Sequence, residues 1–163
     1  MQDKPEVVKR LERQLKEPLK PMPLDRIMPS TDNGYTLDEN RRLVGLNLYK
    51  AGLADISFLE DAAFAHLTHL EISKNKVSDI DISSLSGLTG LTYLDLRYNR
   101  IAQLPPETLQ MGLDFKWKVY GTYGISLKGN PLETPPLEIV KQGTDAVRNY
   151  FEDLKKESGS VRI

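Results

Sequence analysis

The chain has no cysteine, which removes disulfide caps, thiolate catalysis and cysteine-ligated zinc. It has no Gly-Lys dipeptide either, and so no G-x-x-x-x-G-K-[ST] cradle for nucleotide phosphates. Neither G-x-S-x-G nor H-E-x-x-H occurs, and no N-x-[ST] acceptor occurs. The opening Met1-Gln2-Asp3-Lys4-Pro5-Glu6 lacks the apolar stretch of a signal peptide. No run approaches the length of a membrane span. A charge of one sign is missing too: 22 basic residues face 23 acidic ones, for a net charge of −1. That balance gives no field to draw in nucleic acid or an anionic membrane. These absences predict a cytoplasmic protein with no cofactor, no metal and no catalytic site. At 163 residues and 39% hydrophobic content, it holds one domain's worth of chain.

What is present is a pattern written twice. Leu67-Thr68-His69-Leu70-Glu71-Ile72-Ser73-Lys74-Asn75-Lys76-Val77-Ser78-Asp79-Ile80 is followed, 24 residues later at every matching position, by Leu91-Thr92-Tyr93-Leu94-Asp95-Leu96-Arg97-Tyr98-Asn99-Arg100-Ile101-Ala102-Gln103-Leu104. Both read L-x-x-L-x-L-x-x-N-x-L-x-x-L, and this resembles the leucine-rich repeat. Each x-L-x-L-x predicts a short strand whose alternate residues face opposite sides. Leu70, Ile72, Leu94 and Leu96 point into a core. His69, Glu71, Ser73, Tyr93, Asp95 and Arg97 share the other face. The Asn stands where the chain leaves the strand, and its amide can donate to and accept from the turn's backbone. One repeat cannot bury its own apolar edge, so neighbours must stack into a solenoid.

The same spacing extends outward. Leu43, Leu46, Leu48, Leu53 and Ile56 form a first repeat with Ala51 in place of Asn. Tyr35 to Leu43 reads as a capping hairpin turning at Asp38–Asn40, and Leu59 to Leu67 as a short helical return. From Asn99 to Asn130 is 31 residues. The surplus holds Phe115-Lys116-Trp117-Lys118-Val119-Tyr120, which alternates like a strand, with Gly121-Thr122-Tyr123-Gly124 able to turn it into a fourth repeat strand, Ile125-Ser126-Leu127. Trp117 and Phe115 read as packing for this insertion. Thr134 is placed as the N-cap of a helix with Pro135 at its first position, ending at Gly143. Thr144 is placed as the cap of a second helix running to about Lys156, with Val147, Tyr150, Phe151 and Leu154 on one face. Ser158 onward reads as a tail.

The expected fold is therefore α/β: a leucine-rich repeat solenoid of about four repeats, with short parallel strands on a concave face. Its expected layout is a helical arm and Pro-rich linker over 1–34, the solenoid over 35–134 with an insertion at about 110–124, and a helical cap and tail over 135–163. The arm carries Val8, Leu11 and Leu15 on a narrow stripe, which suits a packing arm, a partly disordered leader or a partner-binding helix. Pro18, Pro21, Pro23 and Pro29 favour an extended segment that either hangs free or wraps the end of the stack.

Gly129-Asn130-Pro131-Leu132-Glu133-Thr134-Pro135-Pro136, Glu138-Ile139-Val140-Lys141-Gln142-Gly143 and Asn149-Tyr150-Phe151 resemble the end of the repeat domain in prokaryotic Roco-type GTPases. So do the Trp117 insertion and Leu37-Asp38-Glu39-Asn40 with Val44-Gly45-Leu46-Asn47-Leu48. In that family the cap leads into a Roc GTPase domain and a COR dimerisation domain. The resemblance implies a non-catalytic regulatory domain that docks on a Roc–COR region of the same polypeptide. The alternative is a stand-alone repeat adaptor or effector, and an enzyme is the outlier.

The functional expectation falls on the strand face. Asn47, Tyr49, His69, Glu71, Ser73, Tyr93, Asp95, Arg97, Tyr98, Ser126 and Lys128 align there as a protein-binding surface, mixing aromatics, an arginine and both charge signs. Asn75, Asn99 and Asn130 form a structural ladder behind them. His66 and His69 diverge too far to share a metal. Glu60, Asp61, Asp79 and Asp81 read as a solvated acidic loop.

Overall fold

A computed structural model describes residues 3–28, 30–78, 82–85, 87–117 and 123–160. Asp79, Asp81, the stretch 118–122 and the last three residues lie outside them. The repeated leucines build one sheet of seven strands: β1 (Lys20–Pro21), β2 (Gly34–Leu37), β3 (Leu43–Asn47), β4 (His69–Glu71), β5 (Tyr93–Asp95), β6 (Phe115–Lys116) and β7 (Gly124–Ser126). Their order across the sheet is β1-β2-β3-β4-β5-β7-β6. β3, β4, β5 and β7 run parallel, with Leu46, Leu70, Leu94 and Ile125 in register. The 24-residue spacing of the sequence is thus the step from each strand to the next as far as β5, and β7 follows after 31 residues.

The inward leucines form the core. Leu46, Leu48, Leu70, Ile72, Leu94, Leu96, Ile125 and Leu127 are at most 1% exposed. On the far side of that core the chain returns through 3-10 turns at Ser57–Glu60, Ala62–Phe64 and Pro106–Met111, and through the short helix α2 (Ile82–Leu85). At the N-terminal end β2 and β3 pair antiparallel. The Asp38 carboxylate closes their turn by accepting from the Asn40 and Arg42 backbone N–H groups. Helix α1 (Glu6–Leu15) buries Val8 and Leu11 against the core. The proline-rich segment wraps the sheet rather than hanging free: β1 pairs with β2, and Ile27 is fully buried.

Three local expectations are corrected. Within the insertion, the described strand is only Phe115–Lys116, and it runs parallel to β7 rather than turning back into it. The Ile125 N–H donates to the Asp114 carbonyl, and the approach is so close that a Cβ on Gly124 would lie 2.4 Å from that oxygen. Gly124 takes φ 129°, a conformation that a side chain disfavours.

Thr134 does not cap a helix. Helix α3 (Leu137–Val140) begins after Pro136, because a residue preceding proline is steered out of the helical region and Thr134 and Pro135 both do. The Thr134 carbonyl instead accepts from the Leu104 N–H. The third correction is at α4 (Thr144–Ser160), where Ser158–Ser160 are helical and not tail; a single Gly159 costs only about 1 kcal/mol, less than the helix ladder recovers. Thr144 opens this helix, but its hydroxyl accepts from the Phe115 N–H and donates to Asp114, which ties the insertion to the helix. Val147 and Phe151 close the end of the core, and Trp117 packs at its margin under the Lys141 ammonium, 5.0 Å from the ring centre.

Candidate interaction face

Strand alternation places three rows of side chains on the outer face of the parallel strands. The first row runs Gly45, His69, Tyr93, Gly124 and the second Asn47, Glu71, Asp95, Ser126. One turn further along stand Tyr49, Ser73, Arg97 and Lys128.

The first row is aromatic. The His69 ring stacks on Tyr93 at 4.6 Å between centres, and Tyr93 stacks on Tyr123 at 5.0 Å. Tyr123 is 67% exposed, the most open large apolar side chain among the described residues. Burial lowers the His69 pKa from its usual value, and Thr68 Oγ1 lies 2.8 Å from its Nδ1. The sequence reading missed Tyr123; it lies outside the strand pattern and reaches the face through the insertion.

The second row is polar and buried, which corrects the expectation of an open surface there. Asn47, Glu71, Asp95 and Ser126 are each at most 7% exposed, as is Ser73 in the third row. Two causes close it over. Residues 24–28 fold across β3: Leu24 and Ile27 pack so tightly on Gly45 that a Cβ there would lie 2.9 Å from each. Asn47 Nδ2 donates to the carbonyls of Ile27 and Ser30. Further along, the row covers itself. Glu71 and Asp95 stand in register on neighbouring strands. Arg97 clamps Asp95 in a two-pronged ion pair, Nε to Oδ1 at 2.9 Å and Nη2 to Oδ2 at 2.7 Å, and this geometry is among the stronger hydrogen bonds available. Glu71 has no such cation among the described residues. Burial, and next the Asp95 charge, push its carboxyl up to about 8, so it holds a proton at neutral pH while its Oε1 accepts from the Ser73 N–H.

Apart from Ser73, the third row and the turn after it reach the surface. Lys74 sits between two tyrosines, its ammonium 5.4 Å from the Tyr49 ring centre and 5.8 Å from that of Tyr98. Tyr49 and Arg97 are half-buried, and Tyr98 and Lys128 are exposed. Of the eleven residues expected to bind a partner, six therefore reach the surface: Tyr49, His69, Tyr93, Arg97, Tyr98 and Lys128.

Behind the turns the Asn amides do structural work. Asn75 Nδ2 donates to the carbonyls of Leu48 and Ile72, while its Oδ1 accepts from the N–H groups of Ala51 and Leu53. Asn99 donates to Ile72 and Leu96 and accepts from Val77. Asn130 donates to Leu96 and Leu127 and accepts from Ile101. Each side chain thus stitches its own turn to the turn before it. The turn at Ala51 has no such amide of its own and is held by Asn75.

Among the described residues no cluster of His, Asp or Glu could hold a metal ion, and no helix is long and apolar enough to cross a membrane. The leucine rich repeat family model matches residues 55–111, the stretch that carries β4, β5 and the Asn75 and Asn99 turns. No curated protein matches the chain. The family match supports a leucine-rich repeat domain, and the parallel sheet fits an α/β fold of that kind.

Proposed function

We propose that this leucine-rich repeat domain is a non-catalytic protein-interaction module that binds through the outer face of its parallel strands. Its architecture is then a short solenoid of four rungs, with residues 1–34 and the β2–β3 hairpin as one cap and residues 135–163 as the other, and the outer face is its concave side. The observation that carries the reading is the stack of half-buried His69 and Tyr93 with exposed Tyr123, beside the Tyr49–Lys74–Tyr98 sandwich. Aromatic and cationic side chains of this kind concentrate binding energy at interfaces, and rings already stacked lose little freedom on binding. Beneath it lie the buried carboxyls of Glu71 and Asp95, with Arg97 clamping Asp95 from the surface.

The finer reading is that the module regulates a Roco-type GTPase by docking on its Roc–COR region. The support is the resemblance of the Gly129–Gly143 run and Asn149-Tyr150-Phe151 to that family. A stand-alone adaptor uses the same face with a different partner. Calorimetric titration of a purified Roc–COR region into this chain tests the docking. Binding that depends on the nucleotide state, and that Tyr93→Ala with Tyr123→Ala abolishes, supports it. Absence of binding in both the GDP and GTP states removes the Roco reading. Peptides selected from a random display library test the broader reading. If they bind independently of Tyr93 and Tyr123, the face is not the interaction surface.

A further inference from the structure

The turns leaving the C-terminal ends of the four parallel strands are built alike, and their composition is one-sided. Residues 49–52, 73–76, 97–100 and 128–131 hold Lys50, Lys74, Lys76, Arg97, Arg100 and Lys128 and not one Asp or Glu. Elsewhere the chain is acidic enough to bring its net charge to −1. Arg97 is committed to Asp95. Lys50, Lys74, Lys76, Arg100 and Lys128 are all exposed, and none makes an ion pair with a described residue. Like charges so placed repel one another, and only Lys74 has a compensating contact here, with the Tyr49 and Tyr98 rings.

The backbone fixes the positions of these cations. Lys50, Lys74, Tyr98 and Gly129 occupy the same place in successive turns, with φ of 50°, 53°, 56° and 82°. Three residues with side chains therefore sit in a left-handed conformation that normally falls to glycine. The fourth is glycine for a visible reason: a Cβ there would lie 2.3 Å from the Tyr98 ring. Adjacent turns follow the strand spacing of about 4.8 Å, so the cations line a band roughly 15 Å long.

We infer that this band receives an acidic protein segment, an extended run of Asp and Glu side chains crossing the four turns. The inference rests on the reading of the outer face as an interaction surface and names the chemistry of the partner. A protein segment fits better than nucleic acid. The balanced net charge gives no positive field beyond the band to hold a longer phosphate backbone, and Lys74 already occupies the space between the Tyr49 and Tyr98 rings where a base would stack.

A fluorescein-labelled hexaglutamate peptide, titrated against the whole chain and followed by anisotropy, tests the inference. Saturable binding that weakens with added salt is expected. The double variant Lys76→Glu/Arg100→Glu, at two exposed positions outside the Asn ladder, should weaken it by about tenfold or more with an unchanged circular dichroism spectrum. Tyr93→Ala/Tyr123→Ala should leave hexaglutamate affinity within about twofold. A failed aromatic reading therefore shows in the display experiment and a failed band shows here. No binding, binding indifferent to the charge reversal, or tighter binding of an oligothymidylate of equal charge would overturn the proposal.

Discussion

Replacing Glu71 by Gln should stabilise the protein at neutral pH, although it removes a buried charged residue type from the middle of the sheet. Glu71 is 2% exposed and stands in register with Asp95. Its carboxyl is raised from an ordinary 4.5 to about 8, first by burial and then by the Asp95 charge. A carboxyl with a higher pKa folded than unfolded binds more protons in the native state between those two values. Its contribution is therefore fully present below pH 4.5 and is lost as pH rises towards 8. At 1.36 kcal/mol per pH unit, the loss between pH 5 and 7.5 is roughly 3 kcal/mol. Gln keeps an oxygen to accept from the Ser73 N–H and presents an N–H to Asp95, as the protonated acid does, but cannot ionise. Urea unfolding followed by Trp117 fluorescence should give nearly equal stabilities for the two proteins at pH 5. At pH 7.5 the Gln variant should lead by roughly 3 kcal/mol, or about 10 °C in Tm for a chain of this size. His69 has the opposite sign, because its lowered pKa withdraws stability as pH falls through its titration range. It acts equally in both proteins and cancels in their difference. A Glu71→Gln variant less stable than the parent at both pH values, or a difference that does not grow with pH, would refute the argument.

Other perturbations follow from the same contacts. Asn75→Ala and Asn99→Ala should each lower the urea midpoint by an amount equivalent to roughly 2–4 kcal/mol, since each strands backbone groups that cost 1–3 kcal/mol apiece when unpaired. Ser73→Ala should cost less than either. Ile27→Ala should destabilise by roughly 2–5 kcal/mol and expose Asn47, seen as faster amide exchange along β3. Gly129→Ala should displace the Tyr98 ring and lower the melting temperature, because the new methyl meets both that ring and an unfavourable φ.

What the sequence made legible was whatever repeats. The spacing of Leu70, Ile72, Leu94 and Leu96 fixes which residues face inward, and the register of β3 to β5 follows from it. The fate of the outward residues was not legible. Asn47 is covered by Ile27 and Ser30, 20 and 17 residues earlier in the chain, a pairing that no local period encodes. Glu71 and Asp95 look like surface carboxylates in the strand pattern; in the sheet Glu71 stands between Asn47 and Asp95, and Arg97 lies against Asp95. Tyr123 joins His69 and Tyr93 because its neighbour Gly124 pairs with Tyr93 in the sheet, 31 residues on rather than at the 24-residue step. A two-residue strand such as Phe115–Lys116 is too short for alternation to reveal its direction. Thr134 was misplaced as a cap because its hydroxyl outweighed the two prolines that follow it.

The most direct test of the outer face as the binding surface is a chemical-shift map of the isotope-labelled chain with a display-selected peptide bound. The account predicts perturbations at His69, Tyr93, Tyr123, Tyr49, Lys74 and Tyr98. Between the Pro106–Met111 turn and α4 lies a competing groove of about 720 Å³, lined by Leu104, Leu109, Phe151 and Leu154. Perturbations gathered there, with the strand face silent, would contradict the account.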